Sequence, residues 1–375
     1  MEKKGAGSFL CIMNYIRFLK SPPKRVLLND PFQIIWTIQT DLADSFCLDS
    51  YRVECLVTTL DGIPYDGHVV APARPEYDYY ATGGYCKLEM RFTSRPPGGG
   101  MKAKVMLRII ARSAASDEWI SETSSFAQFV GNEELIVPVW SAPVTLLEEV
   151  TVKRTEKLRP SSQAARLKQD ADTMGRLQQC ERRFPLEDGE WLEITEDAGE
   201  SIARHIWDAG IFLCYFLQTL KSHPSRRLSI TSDTTILELG YGTGLVGLYA
   251  SRLFRPTSVY LTDLAEALPL LEQNTAGASA VLVQELDWST AAMRRTIFPA
   301  RIDFILASDV LYNAGSHTAL LSAMTSMAGV GTTVLLAYKQ RHEEERGFWE
   351  AAERMWKVEV MAEGGECRIY ALEKR

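Results

Sequence analysis

Residues 236–250, ILELGYGTGLVGLYA, combine an acidic residue with closely spaced glycines. A short apolar run ends at Glu238, and glycines follow at positions 240, 242 and 244, ahead of helix-forming residues. This order predicts a buried strand, a tight turn and a helix whose first amides face the end of the strand. Glycines let the backbone bend sharply and let a ligand approach closely. The segment therefore indicates a site for an adenosyl or nucleotide cofactor.

A carboxylate after the next predicted strand supports a ribose-binding role. Asp263 lies roughly 20 residues beyond the glycine loop, a spacing that suits a ribose diol in a dinucleotide or in an adenosyl cofactor. The literal G-x-G-x-x-G at Gly242, Gly244 and Gly247 leaves a nicotinamide-dependent oxidoreductase open. Glu238 ahead of the first glycine gives E-x-G-x-G-x-G, which is the usual glycine loop of class I S-adenosylmethionine-dependent methyltransferases.

Strand and helix patterns alternate from Trp191 to the last residue. Repeated β-α-β order predicts an α/β fold with a doubly wound, mostly parallel sheet, whose ligand lies at the carboxyl ends of the central strands. The predicted strands are 191–194, 235–239, 258–262, 280–284, 304–307, 333–338 and 367–372. The predicted helices are 202–220, 264–274, 317–327 and 343–356.

The N-terminal part has a different pattern. Cys86–Phe92 alternates apolar and polar residues, as a half-buried strand does. Other short runs rich in β-branched and aromatic residues are separated by glycine- and proline-containing turns. These features predict a β-rich, sandwich-like domain with no catalytic cluster. Such a domain serves either to dock a substrate or partner or only to support the fold.

The sequence thus predicts three parts. Residues 1–150 form the β-rich domain, residues 151–185 a polar linker, and residues 186–375 the α/β domain. The linker is rich in lysine, arginine and aspartate and poor in large apolar groups. A chain of 375 residues is long enough for two domains that each bury a core.

Composition limits the functional classes. The net charge of −7 gives no support to nucleic-acid binding, which usually needs a basic face. The seven cysteines contain no C-x-x-C pair, so they favour reduced thiols in a cytosolic or nuclear protein and argue against a metal site. No stretch is long enough to cross a bilayer. We therefore expect a soluble monomer, cytoplasmic and also nuclear, that acts on a protein substrate and binds no metal.

Further motifs before and after the glycine loop sharpen its interpretation. In chain order they are Ile206-Trp207-Asp208-Ala209-Gly210, the glycine loop, Leu286-Asp287-Trp288, Asp309-Val310-Leu311-Tyr312, Leu336-Ala337-Tyr338-Lys339-Gln340-Arg341 and Phe348-Trp349. This series resembles the family 16 seven-β-strand methyltransferases, the group that includes the valosin-containing-protein lysine methyltransferase. The resemblance covers roughly the half of the chain after Trp191. Nothing about the β-rich half follows from it.

The resemblance implies a role for each matching residue. The glycines would approach the methionine part of S-adenosylmethionine, Asp263 would bind the ribose, and the indole of Trp288 would border the adenine. The implied cofactor-binding residues are Trp207, Glu238, Gly240, Tyr241, Gly242, Asp263, Asp287, Trp288 and Ser308. The implied catalytic residues are Asp309 and Tyr312, which match the family's D-x-x-Y motif at the mouth where the target amine enters. Tyr241 departs from the family pattern, because small residues are common at that position.

These residue types suit methyl transfer to lysine. The reaction is an in-line displacement, so positioning supplies much of the catalysis. A lysine ammonium, with a pKa of about 10.4, must lose its proton before attack. Asp309 would attract the cationic side chain, and Tyr312 would orient the nitrogen or relay a proton. The predicted function is an S-adenosylmethionine-dependent protein-lysine N-methyltransferase.

Other functions stay open. The target is alternatively another protein side chain, a small molecule or a nucleic acid, and the protein is alternatively a binding module that kept the fold without the chemistry. An adenine methyltransferase would usually carry an N-P-P-Y-like loop, whereas residues 309–312 contain no proline. Trp207 and Tyr312 would also serve as core residues, and Asp309 as a helix cap.

Overall fold

The computed structural model describes residues 12–73, 75–97, 103–113, 134–148, 179–187, 189–197, 204–224 and 228–375. These residues form two β-sheets that face each other and a third sheet covered by helices. No helix in these ranges is both long and apolar enough to span a bilayer.

The first sheet has five strands, in the order β5-β7-β3-β1-β9. Their bounds are β1 Ile12–Lys20, β3 Phe32–Gln39, β5 His68–Ala71, β7 Cys86–Phe92 and β9 Glu134–Val137. Strand β7 alternates buried and exposed side chains along its whole length, because successive residues of a strand point to opposite faces. The buried face meets the second sheet.

The second sheet has eight strands. Their bounds are β2 Arg25–Leu27, β4 Tyr51–Thr59, β6 Glu76–Tyr77, β8 Lys104–Ser113, β10 Val139–Ser141, β11 Val144–Leu147, β12 Gln179–Pro185 and β13 Trp191–Asp197. The order is β13-β12-β10-β8-β11-β2, and β4 pairs with both β8 and β6. Trp36 and Leu88 of the first sheet share one core with Val53 and Leu107 of the second, so the predicted sandwich is present.

Two expectations about the middle of the chain change. Most of the predicted linker lies outside the described residues, but its last seven residues form β12. The predicted strand 191–194 exists as β13, yet it pairs with β12 and not with the α/β sheet. The reason lies in the alternating burial of β12, which places Cys180, Arg182 and Phe184 on the inner face.

The third sheet has seven strands in the order β16-β15-β14-β17-β18-β20-β19. Their bounds are β14 Thr235–Leu239, β15 Ser258–Asp263, β16 Val281–Glu285, β17 Phe304–Ser308, β18 Thr333–Lys339, β19 Trp356–Gly364 and β20 Cys367–Lys374. The first five are parallel, and β20 runs antiparallel to β18 and β19. Sequence patterns missed β19, because its burial does not follow a two-residue period.

Helices cover this sheet on both sides. The described α-helices are α1 Tyr79–Thr82, α2 Asp208–Ser222, α3 Leu245–Phe254, α4 Leu268–Asn274, α5 Ala291–Arg294, α6 His317–Met327 and α7 Arg346–Met355. Helix α2 begins later than predicted because the backbone of Trp207 is extended, with φ −114° and ψ 152°. Trp207 therefore precedes the helix and does not lie within it.

The sandwich and the α/β part share a hydrophobic core. Met13 and Tyr15 of β1 and Leu135 of β9 belong to the same buried cluster as Ile211 and Leu217 of α2. Burial of apolar side chains stabilises a structure by about 25 cal/mol per Å². The two parts are thus joined by packing and not only by the chain.

A buried ion pair fixes the hairpin of β12 and β13. The guanidinium of Arg182 donates to Glu196 at 2.8 Å and to the carbonyls of Val137 and Pro138 at 2.9 and 2.8 Å. Both charged side chains are almost fully buried. The other oxygen of Glu196 accepts from the backbone N–H of Ile206 at 2.7 Å. This pair therefore ties the second sheet to the segment that leads into α2.

Replacing Arg182 by leucine leaves the Glu196 carboxylate buried and unpaired. We expect the Arg182→Leu variant to lose about 3–5 kcal/mol of unfolding free energy, measured by urea denaturation. The neighbouring Arg183 forms part-exposed ion pairs with Glu181 and Glu193 and provides a control. Arg183→Leu should lose about 1 kcal/mol or less. Equal losses in the two variants would contradict this account.

The contribution of the Arg182–Glu196 ion pair to the free energy of unfolding depends on pH. Burial opposes ionisation of Glu196, but the charges of Arg182, Arg17 and His205 outweigh burial and lower its pKa to about 2. A carboxyl whose pKa falls on folding stabilises the protein above its unfolded pKa of about 4.3. That contribution disappears as the pH falls towards 2. The difference in unfolding free energy between the wild type and Arg182→Leu should shrink over the same pH interval.

Candidate active site

A cavity of about 500 Å³ opens at the carboxyl ends of the central strands of the third sheet. Eight of the nine predicted cofactor-binding residues and both predicted catalytic residues line it. These lining residues are Trp207, Gly240, Tyr241, Gly242, Asp263, Asp287, Trp288, Ser308, Asp309 and Tyr312. The sequence therefore predicted a set of side chains that the fold brings together.

The glycine loop forms one wall of the cavity, and at Gly240 a side chain would not fit. Gly240 has φ +69°, a conformation that other residues adopt only with strain. A Cβ atom at Gly240 would lie 2.9 Å from Val310 Cγ1 and 3.1 Å from the ring of Trp288. The loop backbone thus faces the cavity directly, in the way that a closely approaching ligand requires.

Asp263 ends β15 beside this loop. Its two carboxylate oxygens accept hydrogen bonds from the backbone N–H groups of Gly242 at 3.1 Å and Leu264 at 2.8 Å. Burial raises the pKa of Asp263, and the two N–H donors oppose that shift. The carboxylate is thus held in place at the cavity edge with lone pairs left to accept from a diol.

Glu238 is the predicted cofactor-binding residue that does not line the cavity. Its side chain is fully buried beneath the loop, where Oε2 accepts from the N–H of Gly247 at 2.8 Å. The other oxygen, Oε1, has no partner among the described residues. Burial raises the pKa of Glu238 to about 8. Through this hydrogen bond to α3, Glu238 supports the glycine loop from the side away from the cavity.

Tyr241 is accommodated despite its size. Its side chain is buried against the cavity wall, and its hydroxyl has no hydrogen-bond partner in the described part of the chain. The Tyr241 carbonyl accepts from the N–H of Gly244 at 2.9 Å, which closes the turn. The departure from small residues at this position therefore leaves the glycine turn intact.

Strand β13 of the sandwich is connected to the glycine loop through the side chain of Asn274. The Asn274 side chain, at the end of α4, bonds the N–H and the carbonyl of Thr195 in β13 at 2.9 and 3.0 Å. The same amide nitrogen donates to the carbonyl of Thr243 in the glycine loop at 2.9 Å. One amide thus connects the second sheet to the cavity wall.

Asp309 lines the cavity in an unusual backbone conformation. Its φ is +55°, which asparagine and aspartate tolerate better than most residues. Its Oδ2 accepts from Arg341 Nη2 at 2.5 Å, and burial raises its pKa to about 6 although Arg341 opposes that shift. Tyr312, by contrast, is 54% exposed. The predicted catalytic carboxylate is therefore part of a buried ion pair in the cavity lining.

Arg341 lies between carboxylates of both halves of the chain. The side chain, 7% exposed, contacts Asp309 and also bonds Asp41 of the sandwich at 2.8 and 3.4 Å. Its guanidinium carbon lies 5.2 Å from the ring centroid of Trp207. Sharing one guanidinium between two buried carboxylates leaves the three groups with a net charge of −1 when all of them are ionised.

Lys339 extends the cluster. Its ammonium donates to Asp208 at 2.8 Å and lies 3.6 Å from Asp41, and Tyr15 donates to the other oxygen of Asp208 at 2.8 Å. Burial and the charge of Asp41 raise the pKa of Asp208 to about 7. Burial also disfavours ionisation of Asp41, but the bond to Arg341 outweighs it and lowers its pKa. Asp41 is therefore the carboxylate that stays charged.

The sequence did not predict the cationic part of this site. Lys339 ends β18 and Arg341 follows the strand, in a motif that the resemblance includes, so their position at a strand end was a usable signal. Asp41 and Leu42 lie about 300 residues earlier in the β-rich half, where no pattern indicated a link. His205, which also lines the cavity, carried no signal beyond its neighbour Trp207.

The geometry supports binding of a ligand with a sugar diol and a flat ring. One cavity is lined by glycine backbone, the Asp263 carboxylate and the indole of Trp288, and also by Asp309 and Tyr312. No group of three or more potential metal ligands occurs among the residues that the structure describes.

The chain is similar to known proteins over this region. A family model described as lysine methyltransferase matches residues 186–355. Protein-lysine methyltransferase METTL21E of Mus musculus is 31% identical over 46% of this chain and 71% of its own length. Protein-lysine N-methyltransferase EFM6 of Saccharomyces cerevisiae is 29% identical over 49% of this chain and 82% of its own length.

A UPF0665 family protein of Schizosaccharomyces pombe is 31% identical over 53% of this chain. The chain spans 60% of the length of that relative.

Gly240 offers a direct test of the cavity wall. Gly240→Ala would place a methyl group against Trp288 and strain a positive φ, so we expect at least about tenfold weaker binding of S-adenosylhomocysteine by calorimetry. Gly277 has φ +86°, and a methyl group added there would meet no atom within 4 Å, so Gly277→Ala shares the strain without entering the cavity. Its affinity should stay within about twofold of the wild type. Equal affinities in all three proteins would show that the ligand lies elsewhere.

Proposed function

This chain belongs to the lysine methyltransferase family, and we propose that it is an S-adenosylmethionine-dependent protein-lysine N-methyltransferase. One observation carries the proposal. One cavity is lined by a glycine-rich loop, by a carboxylate at a strand end and by the buried carboxylate of Asp309. A cofactor end and an acceptor end for a cation are thus parts of the same site.

The residues of the cofactor end fit an adenosyl group. A Cβ at Gly240 would collide with Val310 and with the ring of Trp288, so the glycine lets these two cavity-lining side chains lie against the loop. Asp263 would accept hydrogen bonds from the ribose hydroxyls, and Trp288 would cover a face of the adenine. When bound, S-adenosylmethionine supplies an electrophilic methyl group on a sulfonium. The wall residues Trp207 and Ser308 would surround the methionine end.

The acceptor end favours a lysine over an uncharged target. The carboxylates of Asp41, Asp208 and Asp309 outnumber the cations of Arg341 and Lys339 when all are ionised, so the site attracts an ammonium group. Tyr312 is exposed enough to meet an incoming side chain. The amine must lose its proton before attack, and the partly buried site favours its neutral form. Held in line with the methyl group, the neutral nitrogen needs no nucleophilic triad.

We place this activity in the cytoplasm and the nucleus, in a monomeric protein. The six cysteines of the described residues are all free thiols, and most are buried. Such thiols suit a reducing compartment. A protein substrate agrees with the names of the relatives, and the open mouth at Tyr312 gives a side chain on another protein access to the cavity.

The proposal is tested by labelling. The full chain is incubated with S-adenosylmethionine that carries a tritiated methyl group, together with a lysate from cells lacking the gene. We expect label in a discrete protein band and, after digestion, on a lysine side chain. Label on arginine, histidine or nucleic acid would contradict the assignment of the acceptor. Absence of any label, with S-adenosylhomocysteine still bound, would favour a binding module.

Two variants separate the two ends of the site. Asp263→Ala should weaken S-adenosylhomocysteine binding by about a hundredfold, because two acceptors for the ribose are lost. Asp309→Asn keeps a residue type that tolerates a positive φ and should retain that affinity within about threefold. Its rate of methyl transfer to the lysate should fall at least about a hundredfold.

The matched control for both variants is Asp233→Ala, which removes an exposed carboxylate just before β14. It should change neither affinity nor rate. If Asp263→Ala and Asp309→Asn lose affinity equally, the division between cofactor end and acceptor end is wrong.

A further inference from the structure

We propose that the β-sandwich completes the acceptor end of the active site, with Asp41 as a positioning residue that acts on Asp309 through Arg341 and Leu42 as part of the lysine channel. The inference rests on the proposed function, because it assigns residues to the path of the target lysine. It gives the N-terminal half of the chain a role in the reaction.

The contact between the halves is direct and buried. Asp41 follows β3, and its side chain is 1% exposed. Its two oxygens accept from the two terminal nitrogens of Arg341 at 3.4 and 2.8 Å, which is a bidentate arrangement. The nitrogen at 2.8 Å also bonds Asp309 at 2.5 Å. One guanidinium nitrogen therefore connects a sandwich residue to the predicted catalytic carboxylate.

Asp41 is itself held by several donors. Arg17 of β1 donates to its carbonyl at 2.7 Å, and the N–H of Leu42 donates to its Oδ1 at 2.9 Å. The N–H of Asp208, at the start of α2, lies 3.4 Å from Oδ2. These bonds come from both halves of the chain. The carboxylate is thus fixed at the seam in an orientation that faces Arg341.

The next residue reaches the cavity itself. Leu42 lines the cavity and is 45% exposed, so an entering side chain can reach it. Tyr312 lies in the same lining and is also about half exposed. A lysine has a four-carbon apolar stem below its charged head. Leu42 and Tyr312 offer apolar surface to that stem, while Asp309 receives the ammonium.

The charge distribution explains why Asp41 matters. Without Asp41, Arg341 would pair with Asp309 alone and cancel its charge. Shared between the two carboxylates, Arg341 leaves negative charge at the mouth, which complements a lysine ammonium. Lys339 is shared in the same way, between Asp208 at 2.8 Å, Glu366 at 3.3 Å and Asp41 at 3.6 Å. The two cations therefore face four carboxylates, and negative charge remains when all of these groups are ionised.

The test measures coupling between Asp41 and Arg341. Rates of methyl transfer to the gene-deficient lysate are compared at limiting lysate, where their ratios equal ratios of kcat/KM. The proteins are the wild type, Asp41→Asn, Arg341→Met and the double variant, all as full chains. Affinity for S-adenosylhomocysteine is measured for each. Asp44→Asn, an exposed carboxylate three residues further along the same loop, is the matched control.

We expect Asp41→Asn to slow transfer about tenfold, with S-adenosylhomocysteine affinity within about twofold of the wild type. In the Arg341→Met background the same substitution should change the rate less than about twofold, because its effect passes through Arg341. Leu42→Ala should slow transfer several-fold at unchanged affinity. Asp44→Asn should match the wild type.

Other results overturn the inference. An equal effect of Asp41→Asn in both backgrounds, or a loss of S-adenosylhomocysteine affinity, would show that Asp41 serves the fold. A faster Asp41→Asn enzyme would identify the ion pair as an inhibitory latch. If Leu42→Ala transfers methyl groups at the wild-type rate, Leu42 is not part of the lysine channel. These outcomes require an active wild type, whereas an inactive wild type that binds the ligand is a failure of the proposed function itself.

Discussion

The sharing of the Arg341 guanidinium between Asp41 and Asp309 is the contact on which the arrangement of the site depends. It joins residues separated by 300 positions and lies where the sandwich, helix α2 and the end of β18 meet. Desolvating three charged groups is costly unless each is paired with good geometry. The surrounding donors, among them Arg17 and the N–H of Leu42, supply that geometry. The acceptor end is therefore a property of both halves of the chain.

Local chemistry made the cofactor end predictable. Glycines after a buried strand, and a carboxylate such as Asp263 after the next one, must converge because parallel strands end at the same edge. All but one of the site residues predicted from the sequence therefore line the cavity. Glu238 was the exception, since its spacing matches the motif although the side chain turns beneath the loop towards Gly247. A motif fixes the order of residues along the chain and leaves the direction of each side chain open.

Long-range contacts were beyond sequence patterns. Strand β12 lies in a charged stretch that resembles a linker, and only the pairing of Arg182 with Glu196 shows why such residues are buried there. Strand β13 was predicted as a strand but given the wrong neighbours, because periodicity reports burial and not pairing partners. Asp41 is similar, since a single aspartate after a strand has no spacing that identifies a partner 300 residues away.

The hydrogen bonds of Asn274 determine where the chain can be cut into separately folding parts. Strand β13 belongs to the sandwich sheet and holds the Asn274 side chain that bonds the glycine loop. A cut between the two halves would therefore leave an open sheet edge and a glycine turn without this support. Met13 and Tyr15 would also be stripped from the common core. Excising the α/β half would thus damage the very pocket that the excision was meant to isolate. In this chain the boundary of the matched family is not a boundary of the folded unit.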